Sequence, residues 1–126
     1  MNCSIIAIDD FKKDAKKLLK KYNSLKNELE KLQILLLETP RHGILIHKDT
    51  YKIRLAVKSK GKGKSGGMRI ITHVVEVEIK VDENQIEQNT TVFLLAIYDK
   101  SDMENISDKD LKYLINIVNT ELDSEE

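Results

Sequence analysis

The sequence has one cysteine, one proline and no tryptophan among its 126 residues. A single cysteine excludes an internal disulfide, so the fold has to depend on a packed core. Long apolar runs are also missing, because the stretch at residues 5–8 is far too short to be a signal peptide or to cross a membrane. We therefore expect a cytoplasmic protein without a membrane partner, forming a single domain over residues 1–126 with a flexible acidic tail at 119–126.

Net charge is absent too, since 21 basic side chains balance 21 acidic ones. The signs are nevertheless segregated: residues 41–80 contain ten Lys and Arg against three Asp and Glu, and residues from 81 onward contain three against twelve. Between Lys52 and Arg69 there are seven positive charges and no acidic residue. A basic, glycine-rich loop of this kind binds a polyanion, most economically nucleic-acid phosphate. The alternative is a solvated hairpin loop whose glycines serve turn geometry.

Nucleotide and metal sites are not expected. Gly63-Lys64-Ser65 ends like a phosphate-binding loop, but Lys58 occupies the position of its first glycine, and a strand pattern follows instead of a helix. The three histidines have no metal-like spacing with the single cysteine. We therefore predict no nucleotide cofactor, no other cofactor and no metal.

Three segments have the apolar period of helices. The first two follow a short strand at residues 3–8 and form a helical hairpin over residues 10–38, with a break at Asn23-Ser24. The alternative is one uninterrupted helix over the same residues, but a hairpin packs better on a small sheet. Ser107, followed three residues later by Asp110, is a capping-box pattern that opens a C-terminal helix.

The middle of the chain has the period of strands. From Tyr51, apolar residues alternate with Lys52, Arg54 and Lys58, which places three cations on one side of a strand. A second strand is predicted at 68–81, where residues 70–74 do not alternate and indicate burial on both faces or a bulge. A loose hairpin at 82–89 and an apolar strand at 91–98 follow. The prediction is an α+β fold of order β-α-α-β-β-β-α, with a small antiparallel-rich sheet, all helices on one face and the cations on the open face.

The sequence also resembles a known family over residues 11–117. The matching segments include Phe11-Lys12-Lys13, Tyr51-Lys52-Ile53-Arg54-Leu55-Ala56, the run from Lys60 to Ile71, and Leu95-Ala96-Ile97-Tyr98-Asp99-Lys100-Ser101. The most specific is Gly-Lys-Ser-Gly-Gly-x-Arg-Ile, which ends at Arg69-Ile70. These segments are similar to the RelE/ParE superfamily of type II toxin–antitoxin toxins, and the last run resembles the subgroup that includes the HigB-like toxins.

The resemblance implies a compact RelE-like fold and a ribosome-dependent mRNA interferase, which cuts mRNA in the ribosomal A site. In this chemistry the 2′-hydroxyl attacks the adjacent phosphodiester, and basic side chains move the protons and stabilise the charge. Tyr98 would stack on a base or donate a proton, with a structural role in the core strand as the alternative. The implied catalytic residues are Lys52, Arg54, Arg69, Lys100 and Tyr98. Positions assigned to RNA or ribosome binding are Lys58, Lys60, Lys62, Lys64 and His47.

Two other functions remain open from the sequence. A ParE-like inhibitor of DNA gyrase would share the fold without RNA chemistry, and a catalytically degenerate toxin would act only as an antitoxin-binding co-repressor. All three predict a cognate antitoxin protein as partner, with acidic side chains near the basic loop.

Overall fold

The computed structural model describes residues 2–60 and 67–124 and confirms the α+β class. Within these residues the chain forms five strands and three α-helices. In chain order they are β1 (Asn2–Ala7), α1 (Asp9–Lys21), α2 (Leu25–Glu38), β2 (Ile44–His47), β3 (Thr50–Leu55), β4 (Met68–Asp82), β5 (Gln85–Asp99) and α3 (Asp108–Ser124), with a 3-10 turn at Lys58–Lys60. None of these helices is both long and apolar enough to cross a bilayer. Because α3 continues to Ser124, most of the predicted acidic tail is helical.

The strands form one mixed sheet in the order β1-β5-β4-β3-β2. Strands β2 to β5 are antiparallel neighbours, in keeping with the predicted antiparallel-rich sheet, whereas β1 is parallel to β5. The sequence prediction lacked β2, so the predicted element order is short by one strand. This four-residue strand is mostly exposed and lies at the sheet edge, where no alternating apolar pattern is needed.

Helices α1 and α2 form the predicted hairpin. Phe11 and Ala15 of α1 are buried, and aspartates in the first turn and lysines in the last turn favour the helix dipole. Three leucines of α2 are buried at helical spacing. Leu32 and Leu35 line one groove with Ile53, which places α2 on the side of the sheet to which Ile53 points. We call this side the back face.

The third helix lies on the opposite side, which we call the front face. Lys52 and Arg54 alternate with Ile53 and therefore point to the front, and the Lys52 Nζ lies 3.3 Å from the Asn105 Oδ1, just before α3. Leu111, Leu114 and Val118 of α3 are buried. The prediction that all helices pack on one face and leave the other open is therefore wrong. The apolar side chains of the central strands on the front face need a cover, which α3 supplies.

The centre of the sheet is buried on both faces. Ile70, Ile71, Thr72 and Val74 are all inaccessible, and the β4–β5 register shifts between Ile71 and Thr72. The missing alternation at residues 70–74 is thus explained by two-sided burial together with a bulge.

Farther along the chain, β4 and β5 continue beyond the core as a two-stranded ribbon. The predicted loose hairpin at 82–89 is wrong, because β5 begins at Gln85 and pairs there with Asp82. The backbone N–H of Asn84 donates to the Asp82 carboxylate at 2.8 Å and closes a short turn. The sequence pattern did not indicate a strand at 85–89, because both faces of the ribbon are exposed there and its side chains can be polar.

Candidate nucleic-acid interface

The front face brings three of the predicted catalytic residues into one row across three strands. Arg54 of β3 is directly opposite Arg69 of β4, and Arg69 is directly opposite Tyr98 of β5. Directly opposed residues in an antiparallel pair point to the same face, so the three side chains are neighbours. Lys52 lies two positions from Arg54 on the same strand face and is half-buried. We call Lys52, Arg54, Arg69 and the neighbouring Tyr98 the cationic row, after its three basic members.

Exposure falls steeply along the cationic row. Arg54 is exposed, whereas Arg69 and Tyr98 retain only 4% and 7% of their accessible surface. One Arg69 guanidinium nitrogen lies 3.3 Å from the Met68 carbonyl oxygen. A phosphate approaching the row would therefore meet Arg54 first, with Lys52 beside it and the charge of Arg69 beneath it.

Tyr98 is held in a desolvated environment. Burial raises the pKa of its hydroxyl, while the backbone of Ile106 and the charge of Arg69 act in the opposite direction. Its hydroxyl oxygen makes no hydrogen bond of standard geometry to the described residues. Stacking on an RNA base requires an exposed ring face, which Tyr98 does not present.

Lys60, predicted to bind RNA, forms a buried ion pair with Asp99. The side chains of Lys60 and Asp99 are 6% and 1% exposed, and the Lys60 ammonium lies 5.3 Å from the centre of the Tyr22 ring. Asp99 also accepts hydrogen bonds from the Tyr22 hydroxyl at 2.9 Å and from the backbone N–H and hydroxyl of Ser101 at 3.0 and 2.7 Å. In this arrangement the Lys60 ammonium is not available to RNA phosphate.

The remaining predicted residues are dispersed. Lys58 is exposed on the 3-10 turn, where its backbone N–H donates to the Glu28 carboxylate. His47 is exposed at the end of β2. Lys100 is half-buried after β5, and its backbone N–H donates to the Gly67 carbonyl at 3.2 Å. The other two predicted RNA-binding residues, Lys62 and Lys64, lie outside the described residues.

Sequence reasoning did not identify a second polar cluster, centred on Arg41. Its guanidinium lies 3.0 Å from the Asp49 carboxylate, 3.4 Å from that of Glu76 and 3.1 Å from the Tyr51 hydroxyl. The Tyr51 hydrogen bond is the largest influence on Arg41 and raises its pKa. These partners join the β2–β3 hairpin to the base of the ribbon. The sequence spacing of these partners did not predict the cluster, because they come from separate parts of the fold.

His73 forms a buried hydrogen-bonded pair with Thr50. The Thr50 hydroxyl lies 2.8 Å from the His73 Nδ1 and 2.8 Å from the Lys48 carbonyl oxygen. Burial lowers the pKa of His73. Residues 2–60 and 67–124 contain no cluster of three or more His, Cys, Asp or Glu side chains arranged to bind a metal.

Comparisons of this chain with protein-family models, with curated proteins and with solved structures find no match. The resemblance to RelE/ParE toxins therefore stays a prediction, and the function has to be argued from the cationic row.

Proposed function

We propose that the protein is the toxin of a type II toxin–antitoxin module, acting as a ribosome-dependent mRNA interferase through the cationic row. The observation that carries the proposal is the convergence of Lys52, Arg54 and Arg69, which come from two strands, on one region of the front face. Lys52 and Arg54 place two like charges two positions apart on one strand face, and an anion that bridges them relieves their repulsion. A phosphodiester is such an anion.

The proposed reaction uses the RNA as its own nucleophile. The 2′-oxygen loses its proton and bonds to phosphorus, the bond to the 5′-oxygen breaks, and that oxygen takes up a proton. The products are a 2′,3′-cyclic phosphate and a 5′-hydroxyl. Arg54 is accessible enough to contact the phosphate, and Lys52, two positions away on the same strand face, would exchange protons with the RNA. Arg69 adds fixed positive charge from within the sheet, where desolvation strengthens its effect.

Tyr98 has a different proposed role. Because its ring is buried beside Arg69, it would position the arginine and not touch the RNA. The cognate antitoxin would cover the row with acidic side chains and so compete with RNA for Arg54.

The decisive experiment compares Arg54→Ala with the unaltered protein on programmed ribosomes. We expect cleavage of A-site mRNA to fall about 10²–10³-fold, the usual cost of removing one donor that stabilises transition-state charge. Lys16→Ala removes an exposed cation from α1 and should leave cleavage unchanged. RNA sequencing that captures 2′,3′-cyclic phosphate ends provides the readout.

Intact mRNA with the unaltered protein, or full cleavage by Arg54→Ala, would refute the interferase proposal. DNA-damage signalling without translation arrest would point to gyrase inhibition instead.

A second candidate is a non-enzymatic antitoxin-binding module. The burial of Arg69 and Tyr98 favours it, because neither side chain reaches a ligand without rearrangement of the front face. This candidate predicts tight antitoxin binding and no mRNA breaks.

A further inference from the structure

The ribbon formed by residues 76–90 has an unpaired strand edge. Strand β3 pairs with β4 only from Met68 to His73, and the backbone N–H of Val74 then donates to the Asp49 carbonyl at 2.8 Å. From Val75 to Asp82, the part of the chain that the structure describes places no strand on the outer edge of β4. An open edge of this length is a template for pairing with another strand.

Apolar side chains accompany this open edge. Val77, Ile79 and Val81 of β4 keep 48%, 44% and 53% of their surface exposed. Val77 and Ile79 are two residues apart in one strand, so they form a stripe on one side of the ribbon. The usual protections of an edge, a proline or an inward-pointing charge within the stripe, are missing between Val75 and Ile79.

The sequence of the edge is complementary to itself. If two copies of β4 pair antiparallel with Ile79 opposite Ile79, then Glu78 of each copy lies directly opposite Lys80 of the other. The apolar stripes meet on one side of the ribbon, and two opposite-charge pairs form on the other. A two-fold axis through Ile79 makes every contact away from the axis occur twice, as in an isologous dimer.

At the ends of this paired segment, two acidic side chains come near each other but have partners within their own chains. Regular pairing ends at Lys80, because the β4–β5 register shifts between Lys80 and Asp82. Beyond this shift Glu76 would approach Asp82 of the second copy, which brings like charges together. Within its own chain, however, Glu76 is already paired with Arg41 at 3.4 Å, and the Asp82 carboxylate accepts the Asn84 backbone N–H. These partners offset the repulsion.

We propose that two copies of this chain associate through the outer edges of their β4 ribbons, centred on Ile79, and form a four-stranded intermolecular sheet. A contact through one strand edge involves fewer residues than a standard interface of about 1,600 Å², and we expect a dimer Kd in the micromolar to millimolar range. The cationic row lies outside this contact. Dimerisation can therefore be tested separately from RNA cleavage, and the failure of one proposal does not affect the other.

The test is a charge-swap series followed by sedimentation velocity, with protein concentrations up to about 1 mM. Glu78→Lys and Lys80→Glu each replace two attractions by two repulsions, and each should raise the dimer Kd on the order of tenfold. The double variant Glu78→Lys/Lys80→Glu restores opposite charges and should recover the original Kd. Glu30→Lys, the same charge change on exposed α2, is the matched control and should have no effect.

Mixing the two single variants gives the sharpest readout. In a mixed dimer both pairs between positions 78 and 80 are again of opposite sign, so the mixture should dimerise about tenfold more tightly than either variant alone. Hydrogen exchange at residues 75–82 should slow as the wild-type concentration rises. A wild-type protein that stays monomeric throughout would overturn the proposal. The proposal would also be overturned if neither single variant changed the dimer Kd, or if Glu30→Lys raised the Kd by the same factor.

Discussion

Breaking the buried ion pair between Lys60 and Asp99 should destabilise the fold strongly. Removing one member of a buried pair typically costs about 3–5 kcal/mol, because the remaining charge is left desolvated. In Lys60→Met the Asp99 carboxylate keeps its hydrogen bonds from Tyr22 and Ser101. We therefore expect the lower limit of that range, about 3 kcal/mol.

Urea unfolding measures this cost directly. With an m value of about 2 kcal/mol/M, a loss of 3 kcal/mol lowers the midpoint by about 1.5 M. Lys20→Met makes the same substitution at an exposed site on α1 and should change the free energy of unfolding by less than about 0.5 kcal/mol. If Lys60→Met matched Lys20→Met, the buried pair would contribute nothing and the reasoning would be refuted.

The same pair predicts a dependence of stability on pH. Burial alone raises the pKa of Asp99, but the Lys60 ammonium and the hydrogen bonds from Ser101 and Tyr22 outweigh it and hold the pKa well below its usual range. A carboxyl group whose folded pKa lies below the unfolded value of about 3.9 stabilises the fold fully above about pH 5. This stabilisation is lost as the pH falls through the folded pKa.

Asp99→Asn removes this titration. Its deficit in unfolding free energy relative to the wild type should be constant above about pH 5 and should shrink as the pH falls toward 3. A deficit of equal size at both pH values would contradict the assignment.

Three smaller predictions concern stability, and each is measured by the midpoint of urea unfolding. Gly43→Ala should destabilise by about 1–3 kcal/mol, because φ is +110° and a Cβ would lie 2.7 Å from the Lys52 carbonyl oxygen; an unchanged midpoint would contradict this. Ser107→Ala should cost about 1 kcal/mol by removing the 3.1 Å cap on the Asp110 backbone N–H, and Ser107→Asp, which keeps a capping oxygen, should not. Thr50→Val should cost about 1–3 kcal/mol, since its buried hydroxyl bonds a carbonyl and an imidazole, and a neutral result would show that water replaces it.

Sequence patterns were sufficient to predict the helices and strands whose apolar residues repeat at a regular helical or strand spacing. The apolar repeat of α1 and α2, the cap at Ser107 and the alternation from Tyr51 all depend on residues within a few positions of each other. The row of Arg54 and Arg69 was also predictable in part, because alternation defines which side of β3 is charged.

The sequence did not predict which of the basic side chains would be exposed and which would be buried in an ion pair. Lys60 belongs to a run of lysines in the sequence, yet its partner Asp99 lies 39 residues later, at the end of a buried strand. Composition indicated a loop that binds a polyanion or is solvated, whereas the low dielectric of the buried site favours the pairing of Lys60 with the Asp99 carboxylate. The polar segment at 85–89 concealed a strand for a related reason, because backbone pairing with β4 needs no apolar side chains.

By itself the sequence determined the α+β class, the helical hairpin, the capped third helix and the charged side of β3, since each follows from short-range periodicity and capping chemistry. Only the tertiary structure decided that α3 covers the front face, that β1 pairs parallel with β5, and that Arg69 and Tyr98 are buried. These outcomes depend on how much apolar surface each face of the sheet must remove from water, a quantity summed over distant segments and invisible to any local pattern.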